Sequence, residues 1–75
     1  MNTAHTMLFV SSDDNVGALF YLAGAANTVT KLLGDAIYTS TKDNAGSINI
    51  YYDGGYKLQN RRGGPREIAI FKINL

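Results

Sequence analysis

SINIYYDGGYKLQNRRGGPREIAIFKINL, Ser47 to Leu75, decides the fold, because it reads as three antiparallel strands whose glycine turns fix each other's register. Ser47–Asp53 alternates, with Ile48, Ile50 and Tyr52 on one side and Ser47, Asn49, Tyr51 and Asp53 on the other. A three-residue loop at Asp53-Gly54-Gly55 sets Tyr56 against Tyr52 and Leu58 against Ile50, which keeps both apolar sets on one face; a two-residue loop would set Ile50 beside Gln59. The next turn, Arg62-Gly63-Gly64-Pro65, then brings Ala69 opposite Leu58 and Phe71 opposite Tyr56. The expected core face is therefore Ile48, Ile50, Tyr52, Tyr56, Leu58, Ala69, Phe71 and Ile73. Tyr51, Ile68 and Ile70 fall on the other face, among Lys57, Gln59, Arg61 and Lys72.

Working outward, Ala4–Ser11 has apolar residues on both sides of its pleat, Met7 and Phe9 against Leu8 and Val10, as expected of a strand inside a sheet. Ser11-Ser12-Asp13-Asp14-Asn15 is rich in side chains that bond to nearby backbone amides, and it reads as a helix entry. From about Val16 to Leu33, Leu19, Leu22, Ala26, Val29 and Leu33 recur at helical spacing, with Gly34 placed to end the helix. The competing reading breaks this segment at Ala23-Gly24 into two strands, since Gly17, Gly24 and Thr28-Val29-Thr30 all lower helix propensity. Asp35–Lys42 is strand-like, and Asp43-Asn44-Ala45-Gly46 supplies a turn. The expected fold is α+β: one helix packed on one face of a mainly antiparallel sheet, in the order β-α-β-β-β-β, forming a single small domain over residues 1–75.

Seventy-five residues with 45% apolar content lie near the lower size at which one core folds unaided. With no cysteine for disulfides and no Cys/His cluster for a structural zinc, self-association is the remaining ordinary supplement. The net charge of +1 neither demands nor forbids a polyanionic partner. Met1–Val10 lacks the basic and long apolar regions of a secretory signal, so a cytoplasmic protein is expected. Val16–Ala26 is too short to span a bilayer, and no membrane role is expected.

Catalysis is poorly supported. His5 is the only histidine, Glu67 the only glutamate, and no nucleophile or phosphate-loop motif occurs. Asp13-Asp14-Asn15 lacks the later glycine and glutamate that make a cation loop specific, so neither metal nor cofactor is expected. Arg61-Arg62-Gly63-Gly64-Pro65-Arg66 is the best candidate site. Three guanidiniums on one loop, together with Lys57, can fork onto phosphate oxygens, while Gly63 and Gly64 let backbone N–H groups approach the same anion. Tyr51, Ile68, Ile70 and Lys72 form the expected interface, because neighbouring isoleucines on an open face favour protein contact over phosphate binding.

The expectation is a small non-enzymatic binding protein, self-associating, that presents the arginine and glycine loop to a nucleotide or nucleic acid. The alternative is a stoichiometric inhibitor or adaptor that docks on a larger protein machine through the same face, in size and class like phage proteins that antagonise host defence.

Overall fold

In a computed structural model, which describes residues 5–24 and 26–74, seven strands follow one another along the chain. They are β1 (His5–Ser12), β2 (Gly17–Ala23), β3 (Thr28–Gly34), β4 (Tyr38–Thr39), β5 (Ile48–Tyr52), β6 (Tyr56–Asn60) and β7 (Ile68–Asn74). No helix occurs among the described residues, so the α+β expectation is corrected to an all-β architecture of two sheets. The larger sheet has the strand order β3-β2-β1-β7 and the smaller β4-β5-β6.

The glycine-loop hairpin forms in the expected register. Ile50 pairs with Leu58 and Tyr52 with Tyr56 across the Asp53-Gly54-Gly55 loop, where Gly54 takes a φ of 69° that an L side chain resists. The rings of Tyr52 and Tyr56 meet edge to face.

Residues 16–33 do not form the helix. They fold back on themselves as β2 and β3, with Ala23 paired to Thr28 and Asn27 in the left-handed region at φ 55°. The reason is local. Thr28, Val29 and Thr30 are stiff at χ1 and favour extended backbone, while both faces of β2 are apolar and can serve a strand as well as a helix. Asp13-Asp14-Asn15 accordingly turns β1 into β2 instead of opening a helix, with Asn15 at φ 64° and its N–H donated to the Ser12 carbonyl at 3.0 Å. Of the strand expected over Asp35–Lys42, only β4 is extended, and it runs parallel to β5.

The largest departure concerns β7. It was expected beside β6, yet it pairs antiparallel with β1, and the loop after β6 carries the chain from one sheet to the other. Ala69 and Phe71 therefore do not stand opposite Leu58 and Tyr56. Phe71 faces Phe9 and Ile73 faces Met7, while Ile70 pairs with buried Val10 and Ile68 with Ser12. The parity of β7 is the reverse of the expected one: Ile68 packs against the core, and Ala69, Phe71 and Ile73 point away from it.

The core lies between the sheets. Leu8, Val10, Ala18, Phe20 and Leu22 of the larger sheet are buried against Tyr38, Ile48 and Ile50 of the smaller. The Tyr38 hydroxyl, fully buried, donates to the Val16 carbonyl at 2.7 Å and lies 2.8 Å from Ser12 Oγ, which ties β4 to the β1–β2 turn. At the opposite end, Tyr56 donates to the Ala23 carbonyl at 2.9 Å. The Tyr38 hydroxyl thus satisfies a backbone acceptor in the interior, while Tyr56 adds a second donor to a carbonyl that already accepts from the Ala26 N–H at 3.2 Å.

Candidate binding surfaces

The arginine loop is organised by acids the sequence placed far away. Arg62 Nη2 lies 3.3 Å from Asp14 Oδ1, and Arg66 Nε lies 3.0 Å from Asp14 Oδ2 and 3.9 Å from Asp13 Oδ1. Arg62 also donates to the Gly46 carbonyl at 2.8 Å. Arg61, more exposed, lies 3.6 Å from Asp43. Arg62 and Arg66 are thus paired with acids of the protomer, although the buried Arg62 Nε has no hydrogen-bond partner among the described residues. The exposed Arg61 pair is weak. Arg62 joins the β1–β2 turn of one sheet to the loops of the other. Gly63, at φ 90°, shapes the turn, and the Gly64 carbonyl accepts from Asn60 Nδ2 at 2.9 Å.

Asp14 shows the electrostatic consequence. Its side chain is only 17% exposed, and burial is the strongest single influence on it, opposing ionisation. The Ser12 hydroxyl, the Arg62 hydrogen bond and the charge and hydrogen bond of Arg66 together outweigh that burial, and they hold the carboxyl below the usual carboxylate range. A charge already matched in this way leaves little free attraction for a phosphate.

The expected interface residues are not brought together as one surface. Tyr51 belongs to the smaller sheet, where it pairs with Lys57, whereas Ile68, Ile70 and Lys72 belong to β7 of the larger one. Near Tyr51 the outer face of the smaller sheet is roofed by its own chain. Asn49, though outward by parity, is fully buried, accepts from Thr39 Oγ1, and donates to the Asn44 carbonyl at 3.0 Å and to Gln59 Oε1 at 3.1 Å. Gln59 in turn bonds Asp43 through both its amide atoms.

Among the described residues, nothing roofs the outer face of the larger sheet in this way. Its pairings line up Phe71, Phe9, Leu19 and Leu33 in one row across four strands, and Ile73, Met7, Tyr21 and Thr30 in the next. An irregularity at Leu32 makes this possible. Because Leu19 pairs with Leu33 but Phe20 pairs with Lys31, the extra residue turns Leu33 outward while Lys31 stays inward. Phe9, Leu33, Phe71 and Ile73 are each between 49% and 63% exposed, and the pairings put no Lys, Arg, Asp or Glu in either row. His5, at the rim, stacks on Tyr21.

Sequence reasoning missed this face because it assigned Phe71 and Ile73 to the core. The available signal was the double-sided apolar pattern of Met7–Val10, which requires a cover on each side. No protein-family model, no curated protein and no solved structure matches this chain.

Proposed function

We propose that the protein is a non-enzymatic binding module that self-associates by packing the outer face of its larger sheet against the same face of a second copy. The observation that carries the reading is the uncharged row Phe71–Phe9–Leu19–Leu33, open to solvent on a four-stranded face roughly 20 Å on a side. Phe9, Leu33, Phe71 and Ile73 alone expose on the order of 400 Å² of apolar surface, the size of the largest apolar patch on a typical monomer (about 300–600 Å²), which is often functional.

Two features favour a second copy over a foreign protein. A two-fold contact sets each face against itself, which requires that like charges be absent, and both rows lack them. The protomer also lacks core of its own: eight apolar residues are buried among the described residues, while seven large apolar ones are exposed. Closing one face on another would convert four of the second group, Phe9, Leu33, Phe71 and Ile73, into core, as two aligned sheets do when they pack about 10 Å apart. Self-association and docking on a larger protein machine use the same surface, so a foreign partner is the competing outcome.

Light scattering over a dilution series tests the reading. The wild-type chain is expected at twice the monomer mass when concentrated, and Phe71→Lys at the monomer mass throughout. A wild-type monomer at every concentration would leave the face to a foreign protein.

A further inference from the structure

The inner side of the larger sheet carries a second feature, independent of the self-association proposed above. Ile70 pairs with buried Val10 and shares its inward parity, yet it is 50% exposed, because the smaller sheet does not extend over β7. A cleft of about 280 Å³ opens there between the sheets. Its walls are apolar, supplied by Leu8 and Leu22 from below and by Ile50 and Leu58 from above. The volume lies just under the range of about 300–1,000 Å³ typical of small-molecule sites.

The charged groups at this cleft are all cationic. Lys57 borders it at the edge strand β6 and Lys72 from β7. Among the described residues the other five cationic side chains are engaged: Lys42, Arg61, Arg62 and Arg66 in ion pairs, and Lys31 on the Asp35 carbonyl. Lys57 and Lys72 make neither an ion pair nor a hydrogen bond among those residues. Asp53, whose carboxyl the Lys57 charge helps hold below the usual range, is bonded by Lys42 at 2.7 Å. Among the described residues, the cationic side chains without a direct partner therefore both border the apolar cleft.

We propose that this cleft binds a small amphipathic organic anion, such as a medium-chain alkyl carboxylate, with the chain against Leu8, Leu22, Ile50 and Leu58 and the carboxylate between Lys57 and Lys72. Thr6 and Asn74, also at the cleft, are bonded to each other, Thr6 Oγ1 donating to Asn74 Oδ1 at 3.0 Å, so it is the Asn74 amide nitrogen that supplies a neutral donor beside the head. Hydrocarbon burial provides the attraction and the two ammonium groups provide the selection for charge.

Calorimetric titration with decanoate, below its micelle concentration, tests this against decanol. Decanoate is expected to bind, decanol about tenfold more weakly, and added salt to narrow the difference. The double variant Lys57→Ala/Lys72→Ala, both positions exposed, should fold as wild type by circular dichroism and bind decanoate about tenfold more weakly. Ile70→Trp, which narrows the cleft from a half-exposed position, should reduce binding of both probes. Equal affinity for decanol and decanoate, or undiminished binding by the double variant, would overturn the proposal. So would absence of decanoate binding at millimolar concentration, including the case in which phosphatidylglycerol vesicles sediment the protein and decanoate does not bind.

Discussion

Phe71 stands directly across the strand pair from Phe9, and the two rings, 63% and 50% exposed, occupy an outer face that leaves them open to solvent. This pairing joins the last strand to the first and carries both rings away from the core. It also separates two kinds of phenylalanine. Phe20 is fully buried between the sheets, so Phe20→Ala is expected to cost about 3–5 kcal/mol, a large part of a small domain's total. Phe71→Ala should change the stability of the dilute monomer by less than about 1 kcal/mol while weakening association. Urea unfolding at low protein concentration, compared with light scattering at high concentration, separates the two effects.

Tyr38→Phe removes a hydroxyl that donates to the Val16 carbonyl and lies beside Ser12 Oγ. The ring continues to fill its site, so the expected loss of about 1–3 kcal/mol comes from the acceptor left unpaired in the interior. Thermal unfolding should show a lowered midpoint with an unchanged circular dichroism spectrum in the native state.

The β5–β6 hairpin was legible in the sequence because its register depends on nearest neighbours: a strict alternation on each side of a glycine loop leaves one in-phase pairing for Ile50 and Leu58. Residues 16–33 admitted both a helix and the two strands broken at Ala23-Gly24 that the structure shows, and the same means favoured the helix. Leu19, Leu22, Val29 and Leu33 satisfy helical spacing, while Leu19 and Tyr21 on one face and Ala18, Phe20 and Leu22 on the other satisfy a strand that is apolar on both sides. The partner of β7 was less accessible still, since pairing across some sixty residues leaves no local trace. The arginine cluster could be read from its residues, but Asp14, which occupies two of its guanidiniums, lies 48 and 52 positions away in the chain.

Gly34 ends β3 opposite Ala18 with a φ of 128°, and a Cβ there would come 2.4 Å from the Ala18 Cα. Neither the backbone angle nor the space suits a larger residue. Gly34→Ala is expected to destabilise by on the order of 1–3 kcal/mol, seen as a reduced urea midpoint, whereas Gly55→Ala, with open space around it, should leave the midpoint nearly unchanged.

The Asp14 carboxyl is held below the ordinary range in the folded protein, so its stabilising contribution is complete at neutral pH. That contribution should begin to fall as the pH approaches the unfolded-chain value near about 4, and it should vanish below the depressed folded value. Asp14→Asn is expected to be less stable than wild type at pH 7 and to converge with it as the pH falls through that window. Urea unfolding of both chains at a series of pH values would detect the convergence, and a difference independent of pH would assign the role of Asp14 to geometry instead of charge.

The central claim, that a second copy covers the outer face of the larger sheet, is tested most directly by intermolecular NOEs in a mixture of isotope-labelled and unlabelled chains. The account predicts contacts between protomers at Phe9, Leu33, Phe71 and Ile73. Intermolecular contacts confined to other surfaces, or their absence from a chain that remains monomeric at NMR concentration, would contradict it.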